Sequence, residues 1–505
     1  MALYIGLDLG TSELKAAIID RERRFLATAG FPLEVDRPRP LWAEQDPDLW
    51  WRAVLDVMDR LAAKHPEYMK NVHGIGLSGQ MHGAVLLGGR DEILRPAILW
   101  CDGRSERECA ELVRREPRLS EISGNLAMPG FTAPKLLWVA GNEPEAFART
   151  RCVLLPKDWL RLKLTGEKKS DMSDAAGTLW LDVGKRAWSG DLLAACGLTE
   201  GHMPGLVEGS DRSGILAPGL ARRWRLGEGV AVAGGAGDNA ASAVGIGAIN
   251  PGDGFVSLGT SGVLFVCNDR FRPNPERAVH AFCHALPGRW HQMSVMLSAA
   301  SCLRWIAALT RRSSEKEMLA EVAALPAADR MRAPLFLPYL SGERSPHNNP
   351  HAKGVFFGME AGHGAADLGY AVLEGVAFGM RDGLAALQSA GAGVDRLSLV
   401  GGGARSAEWA GLLASALGVE ITTHAGSEAS GALGAACLAR LAVEGMAHAG
   451  EICPRPPAAA VYRPERTLRD RLDRRYALFE KLYRDLEGDF SWLDGGRNRL
   501  AARKG

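Results

Sequence analysis

Apolar runs of strand length, separated by short polar turns, open each half of the chain. Residues 3–9 and 14–20 are apolar runs on either side of Gly10-Thr11-Ser12, a pattern that predicts a β-hairpin with a polar tip. The same order, with Leu258-Gly259-Thr260-Ser261 at the tip, recurs over residues 254–266. A repeat separated by about half the chain predicts two lobes of similar architecture.

A second pair of matching segments favours the same interpretation. Residues 48–61 and 367–387 have the periodicity of amphipathic helices, and each leads through an apolar strand into a glycine turn. Helix, strand and glycine turn are ordinary in α/β proteins, so chance remains the alternative for any single match. The turn-forming run Asn250-Pro251-Gly252-Asp253 predicts a boundary, with an N-terminal lobe over 1–249 and a C-terminal lobe with a terminal helix over 250–505.

The centre of the chain carries a polar pair at a strand-to-helix junction. Residues 232–245 begin as an apolar strand, turn through glycines and continue as a helix of small residues. Asp238 and Asn239 stand at that junction, where glycine lets a ligand approach closely and the helix start favours negative charge. The alternative is that Asp238 only caps the helix. Its position next to the boundary predicts that it lies on the wall of a cleft between the lobes.

Polar side chains also follow two strands of the first half. Met81 and His82 lie in Gly79-Gln80-Met81-His82-Gly83, and Asp102 and Arg104 follow the apolar residues 96–99. Ligands of open α/β sheets bind at strand ends, so these side chains are candidate contacts for a polar, uncharged substrate. A buried histidine with satisfied hydrogen bonds is the alternative for His82.

Composition favours a small molecule as the partner. The 505 residues include 60 basic and 59 acidic side chains, for a net charge of +1, which excludes a strong electrostatic attraction to nucleic acid or an anionic membrane. The nine cysteines form no C-x-x-C pair, and no uninterrupted run of about 18 large apolar residues is present. These features predict a cytoplasmic protein that does not span a membrane.

The polar tips, the central junction and the second glycine turn together suit phosphoryl transfer. That reaction needs donors around phosphates, a metal ion and a carboxylate that accepts the proton of the attacking hydroxyl. Asp238 is the predicted general base, and Asp8 the predicted Mg²⁺-associated carboxylate, acting through water. G-x-x-x-x-G-K-[ST] is absent from the sequence, which argues against a P-loop NTPase. The predicted nucleotide-binding residues are Thr11, Ser12, Lys15, Gly259, Thr260, Gly402 and Gly403.

Five segments together resemble the FGGY carbohydrate kinases. They are residues 8–12, residues 79–83, Gly235-Ala236-Gly237-Asp238-Asn239, residues 258–261 and Gly401-Gly402-Gly403-Ala404-Arg405-Ser406. The hairpin motif alone is unspecific, because actin-like and heat-shock ATPases share it. The similarity extends along nearly the whole chain, including residues 128–135 and 342–350.

The resemblance implies a two-domain, actin-like ATPase fold of the ribonuclease H-like type, an α/β fold with duplicated lobes around a central cleft. It also implies that ATP binds mainly to the C-terminal domain and the sugar to the N-terminal one, with a homodimer as the expected assembly. By position, Asp238 matches the family's base and Asp8 its metal-associated carboxylate. The remaining matches are Thr11 and Thr260 for the phosphates, Gly402 and Gly403 for adenine, and Met81, His82 and Asn239 for the sugar.

Within this family, the Gln80-Met81-His82 element favours D-xylulose over glycerol as the sugar, with the 5-phosphate as product. One alternative is the same chemistry on ribulose, another ketose or a sugar acid. A second is a nucleotide-driven binding protein of the actin or heat-shock kind, and a third is a sugar-binding protein without useful turnover.

Three residues depart from the family pattern. Glu13 stands where glycine is usual, Cys101 where many members have asparagine, and Ser345 where threonine is usual. If the hairpin needs a positive φ at residue 13, Glu13 would strain the turn by about 1–2 kcal/mol.

Overall fold

The computed structural model describes residues 2–394, 396–424 and 430–501. Each half of the chain forms a lobe around a seven-stranded mixed β-sheet. No helix within those described ranges is long and apolar enough to cross a bilayer.

The N-terminal lobe contains short strands interleaved with helices. Its strands are β1 (Leu3–Leu9), β2 (Glu13–Ile19), β3 (Phe25–Pro32), β4 (Glu44–Gln45), β5 (Val72–Gly79), β6 (Val85–Leu87), β7 (Ala97–Ile98), β8 (Cys152–Leu154), β9 (Lys169–Asp171), β10 (Leu181–Asp182), β11 (Ala187–Trp188), β12 (Gly205–Val207), β13 (Arg212–Ile215), β14 (Ala231–Ala233) and β15 (Ala236–Gly237). Its helices are α1 (Pro47–Lys64), α2 (Pro66–Met69), α3 (Glu106–Arg115), α4 (Leu119–Ser123), α5 (Thr132–Asn142), α6 (Pro144–Arg149), α7 (Pro156–Thr165), α8 (Met172–Ala175), α9 (Gly190–Ala195), α10 (Pro218–Arg223) and α11 (Asp238–Gly245).

The C-terminal lobe has fewer strands and longer helices. Its strands are β16 (Asp253–Leu258), β17 (Gly262–Asn268), β18 (His280–Cys283), β19 (Trp290–Met296), β20 (Leu335–Pro338), β21 (Gly354–Phe357), β22 (Arg396–Val400), β23 (Glu420–His424) and β24 (Ala458–Tyr462). Its helices are α12 (Ala300–Leu309), α13 (Glu315–Ala324), α14 (Ala327–Arg330), α15 (Ala365–Ser389), α16 (Ala407–Leu417), α17 (Ser430–Glu444), α18 (Ala449–Ile452) and α19 (Arg466–Ala501). Short 3₁₀ segments occupy Ala176–Thr178, Glu200–His202, Pro275–Arg277, Gly402–Arg405 and Met446–His448.

Both predicted hairpins and both predicted amphipathic helices are confirmed. In the first hairpin Asp8 pairs with Lys15 across β1 and β2, and in the second Leu258 pairs with Gly262 across β16 and β17. Helix α1 begins after Asp46 because its carboxylate accepts a hydrogen bond from the backbone N–H of Asp48 (3.0 Å), while Pro47 occupies the first helical position, which needs no donor.

The two sheets share the same core topology, which confirms the predicted duplication. The strand order is β13-β14-β5-β1-β2-β3 in the first sheet and β18-β19-β17-β16-β22-β23-β24 in the second, with β15 also paired to β5. In each, the first strand pairs antiparallel with its hairpin partner and parallel with the strand that follows a long helix, α1 or α15.

Two helices of small residues join the lobes. Helix α17, from the second half, packs on the first sheet so closely that a methyl group on Gly76 would lie 1.8 Å from the carbonyl oxygen of Ala435. A methyl group on Gly434 would lie 1.8 Å from the carbonyl oxygen of Ala241 in α11. These glycines permit backbone-to-backbone packing that no larger residue allows. The C-terminal half therefore completes the core of the N-terminal lobe.

We expect Gly76→Ala to lower the free energy of unfolding by about 1–3 kcal/mol, because the added methyl group forces α17 away from β5. Urea denaturation measures the change. Gly219→Ala is the matched control, since a methyl group there would meet no other residue of the described part of the chain within 4 Å. Equal free energies of unfolding for the two variants would contradict the close packing of α17 on β5.

Candidate active site

Three parallel strands align Asp8 with the residues that precede Asp238. Asp8 on β1 is in register with Ser78 on β5, and Ser78 is in register with Ala236 on β15. The Ser78 hydroxyl donates to Asp8 Oδ1 over 2.8 Å. Asp238 follows two residues after Ala236, as the first residue of α11. The carboxyl ends of these strands therefore bring the two predicted catalytic carboxylates together.

The two carboxylates influence each other electrostatically. Burial, together with the negative charge of Asp8, raises the pKa of Asp238 to about 6. Hydrogen bonds to Asp238 Oδ1 from the backbone N–H and the side-chain amide of Asn239, at 2.7 and 2.9 Å, oppose that rise. Burial also raises the pKa of Asp8, against the Ser78 hydrogen bond and the charge of Lys15. Asp238 is thus an anion at neutral pH whose pKa suits a general base.

The tip of the first hairpin is held by the side chains of Gln45, Gln80 and Trp100, none of which was among the predicted site residues. The Thr11 hydroxyl donates to Gln80 Oε1 (3.0 Å) and accepts from Trp100 Nε1 (2.9 Å). The Gln45 side-chain amide donates to the Thr11 carbonyl oxygen (2.8 Å) and, through its oxygen, accepts from Gln80. Ser12 is exposed at the tip. Only Gln80 lay within a motif that could have indicated this network.

Glu13 does not strain the hairpin. It begins β2 in an extended conformation, pairs with Pro32, and its carboxylate covers Gly30, where a side chain would collide with it. A positive φ is therefore not needed at this position, and the expected strain is absent. Lys15 is exposed on the same strand, 3.4 Å from Glu13.

His82 has one ring nitrogen fixed and one available. Its Nδ1 donates to the Gly177 carbonyl oxygen over 2.6 Å, and burial lowers its pKa to about 3, so the ring is neutral and Nε2 is an acceptor. His82 adopts a positive φ of 69°. Met81 lies beside it, because a methyl group on Gly177 or on Gly237 would lie 2.8 Å from atoms of the Met81 side chain. The contact with Gly237 places Met81 next to Asp238.

A buried lysine, missed in the sequence analysis, holds the His82 backbone. Lys135 Nζ donates to the carbonyl oxygens of His82 and Gly130, both at 2.8 Å, and the Thr132 hydroxyl donates to the same His82 oxygen (3.2 Å). Burial lowers the pKa of Lys135 to about 7. Its place in the loop-helix segment 128–135 was the only sequence signal.

Asp102 and Arg104 are engaged mainly with each other. The Asp102 carboxylate accepts from Arg104 Nη2 (2.7 Å) and from the backbone N–H of Ala43 (2.6 Å). The Arg104 guanidinium also lies 2.7 Å from Glu44 and 3.6 Å from the ring centre of Trp42. Asp102 is close enough to Lys135 for its charge to raise the pKa of that amine, against the effect of burial.

The C-terminal lobe brings its predicted nucleotide residues together. A methyl group on Gly403 would lie 2.6 Å from Leu258 Cβ, so the glycine turn packs against the base of the second tip. The carbonyl oxygens of Gly259 and Thr260 accept hydrogen bonds from Ala300 and Ala299, at 2.9 and 3.0 Å, which attaches the tip to the start of α12. Among the described residues, a side chain on Gly402 would meet nothing within 4 Å, so this face of the turn leaves room for a ligand.

The loop over 341–350 adds a cation that sequence reasoning did not assign. The Ser345 backbone N–H donates to Val295 (3.0 Å) and its hydroxyl to the Ala278 carbonyl oxygen (2.6 Å), which attaches the loop to the sheet near β18. Burial lowers the pKa of both His280 and His82, and the positive charge of Arg344 lowers both further, so the C-terminal lobe contributes charge to the surroundings of His82.

Comparisons with known proteins agree with this architecture. The model of the FGGY family of carbohydrate kinases matches residues 3–245 with its N-terminal domain and residues 254–443 with its C-terminal domain. The xylulose kinase of Escherichia coli (strain K12) is 49% identical over 485 residues, which cover 96% of this chain and 99% of that protein.

Solved structures give the same result. A xyloylose kinase from Brucella ovis superimposes with a TM-score of 0.93 at 51% identity, covering 96% of this chain and 99% of that one. The xylulose kinase from Rhodospirillum rubrum superimposes with a TM-score of 0.90 at 28% identity, covering 97% of this chain and 100% of that one. The predicted two-lobe, actin-like ATPase fold is confirmed, and the chain belongs to the FGGY family of carbohydrate kinases, which phosphorylate sugars with ATP.

Proposed function

We propose that the protein transfers the γ-phosphoryl group of ATP to the terminal hydroxyl of D-xylulose, forming D-xylulose 5-phosphate and ADP. The observation that carries this proposal is the convergence of Asp238, Asp8, Met81 and His82 at the ends of β1, β5 and β15. The choice of sugar is supported by the likeness to xylulose kinases over almost the whole chain. In this proposal residues 1–249 bind the sugar and residues 250–505 bind ATP, in a homodimer.

Asp238 acts as the general base. Its carboxylate accepts the proton of the sugar hydroxyl as the hydroxyl oxygen forms a bond to the γ-phosphorus, and the bond from that phosphorus to the bridging oxygen of ADP breaks. The two hydrogen bonds from Asn239 to Oδ1 leave Oδ2 for the proton. Such a base contributes about 10²- to 10⁴-fold to the rate.

The sugar lies against Met81, His82 and Asn239. The free Nε2 of neutral His82 accepts a hydrogen bond from a sugar hydroxyl, while Met81 provides an apolar wall next to Asp238. We assign Asp102 and Arg104 to the same sugar site, where their mutual ion pair fixes their orientation. Lys135 and Thr132 support the site by holding the His82 carbonyl oxygen.

The nucleotide lies between the two hairpin tips. Thr11, Ser12 and Lys15 face the phosphates from the N-terminal lobe, and Gly259 and Thr260 face them from the other. Backbone N–H groups and hydroxyls at such tips suit anions. The open face of Gly402, beside Gly403, admits the adenine ring.

The carboxylates fit Mg²⁺ as the cofactor. Among the described residues, no cluster of three or more His, Cys, Asp or Glu side chains could hold a metal by itself. Mg²⁺ usually keeps several waters and binds through one or two carboxylates plus phosphate oxygens, which Asp8 together with ATP would supply. Bound there, the ion would neutralise charge on the phosphates.

Substitution of Asp238 distinguishes between a sugar kinase and a nucleotide-driven binding protein. We expect Asp238→Asn to lower sugar-dependent ADP release by about 10²- to 10⁴-fold, because the amide cannot accept the proton. ATP affinity, measured by calorimetry, should stay within a few-fold. An active Asp238→Asn variant would contradict the assignment of the base.

The acid side of the pH profile reports the same carboxylate. Protonated Asp238 cannot accept a proton, so kcat/KM should fall as the pH decreases through about 6. A kcat/KM profile that does not fall near pH 6 would argue against Asp238 as the general base.

The raised pKa of Asp238 also means that the folded state binds this proton more tightly than the unfolded chain does. Asp238→Asn should therefore raise the Tm above pH 6, where the charged carboxylate destabilises the fold.

Substitution of His82 tests the sugar site. We expect His82→Ala to lower kcat/KM for D-xylulose by about fivefold, since one hydrogen bond is worth about 1 kcal/mol. His73→Ala, at an exposed position of β5, is the control.

Rates with D-xylulose, L-ribulose, L-xylulose, glycerol and gluconate at saturating ATP define the preferred sugar, and a higher rate with L-ribulose would favour a ribulose kinase.

A further inference from the structure

A fully buried cluster of charged side chains lies under the turn that carries Asp238. Lys157 Nζ contacts carboxylate oxygens of Asp158 (2.6 Å), Asp171 (2.7 Å) and Asp174 (3.1 Å). Arg161, one turn later on α7, contacts Asp158 over 3.3 Å. The side chains of all five residues are 0% exposed. We call these five residues the α7 charge cluster.

The charges of the cluster balance only if one carboxyl group is neutral. Burial raises the pKa of Asp174 well above its usual value, further supported by the negative charges of Asp158 and Asp171. This direction favours a protonated Asp174, with which the five residues would carry two positive and two negative charges and no net charge. Lys157 in turn is held charged, since the negative charges of the three aspartates raise its pKa despite its burial.

The cluster is hydrogen-bonded to both ends of the turn that precedes Asp238, residues 233–237. At the entry, the Arg161 guanidinium donates to the carbonyl oxygens of Ala233 (2.6 Å) and Gly234. At the exit, the Gly237 backbone N–H donates to the Ser173 hydroxyl (3.1 Å), which donates to Asp171 Oδ2 (2.5 Å). An unbroken chain of contacts therefore leads from Lys157 through Asp171 and Ser173 to the residue before Asp238.

Stability alone gives little reason for such a cluster. Desolvation of buried charges often cancels their attraction, and well-packed apolar residues are frequently as stable. Fixed charges and hydrogen bonds do, however, restrict orientation, and a displacement of about 1 Å at a reacting group can cost 10²-fold in rate. Within this turn the glycines at 234, 235 and 237 have no side chains, so beyond the small buried side chains of Ala233 and Ala236 its position depends on hydrogen bonds to its backbone.

We propose that the α7 charge cluster, acting through Ser173 and Arg161, positions Asp238 for proton abstraction. The inference rests on the proposed role of Asp238 as base. Ser173 and Arg161 are positioning residues, because their contacts with Asp238 pass through the backbone of residues 233–237.

Ser173→Ala tests the connection at the exit of the turn. It removes the acceptor of the Gly237 N–H but leaves the charged residues in place, so kcat should fall about 10- to 100-fold, with KM values for sugar and ATP changed less than twofold. Ser170→Ala is the matched control, because its buried hydroxyl also donates to a cluster carboxylate, Asp158 (2.7 Å), yet does not contact the turn. We expect this control to retain kcat within twofold.

The Asp238→Asn background separates positioning from a general loss of structure. If Ser173 acts through Asp238, Ser173→Ala should lower the residual rate of Asp238→Asn less than twofold. If Ser173→Ala lowers the rate of Asp238→Asn by the same factor as in the wild type, about 10- to 100-fold, Ser173 does not act through Asp238. Equal kcat values for Ser173→Ala and Ser170→Ala would likewise contradict the positioning role of Ser173, and neither result would affect the assignment of the base. An active Asp238→Asn variant would instead overturn the base and, with it, this inference.

Arg161→Lys gives a second test that does not depend on the folding of Ser173→Ala. Lysine keeps the positive charge but lacks the planar fork that reaches both carbonyl oxygens. The same loss of kcat at unchanged KM is expected, and an unchanged kcat would contradict the role of Arg161.

Discussion

The parallel register of β1, β5 and β15 is the constraint on which the geometry of the active site depends. It places Asp8, Ser78 and Ala236 side by side, and the chain then needs only two more residues to reach Asp238. Side chains alternate between the two faces of a strand, so a slip of one residue would turn Asp8 to the opposite face. Every later feature of the site, from the paired carboxylates to the Met81 contact, assumes this alignment.

Keeping two carboxylates close together carries an electrostatic cost that the surroundings partly offset. Ser78 and Lys15 favour the charged form of Asp8, and Asn239 favours that of Asp238, while burial acts against both charges. The balance leaves Asp238 charged near neutral pH but with a raised proton affinity, as a general base requires. Catalytic sites commonly retain such unfavourable arrangements at the expense of stability.

The lobes are joined by packed backbone as well as by the connecting segment. Helix α17 lies on the first sheet through Gly76 and against α11 through Gly434, and its first turn is close to Asp8, where a methyl group on Gly431 would lie 2.5 Å from the carboxylate. Helix α11, in turn, begins at Asp238. The helix pair that joins the lobes thus also borders both carboxylates that we propose to be catalytic, Asp8 and Asp238.

The sequence by itself determined the local elements and the chemistry of the candidate residues. Apolar runs around Gly-Thr-Ser predict the hairpins, amphipathic periodicity predicts α1 and α15, and the glycines before Asp238 predict a strand-to-helix junction, because each depends on neighbours a few residues apart. Only the tertiary structure decided which residues meet. The pairing of Asp102 with Arg104, the neutral ring of His82 and the extended backbone of Glu13 depend on burial and on partners from other elements. The connection of the α7 charge cluster to the turn before Asp238 was not visible in the sequence, because the bonded pairs Ser173–Gly237, Arg161–Ala233 and Arg161–Gly234 are 64 to 73 residues apart.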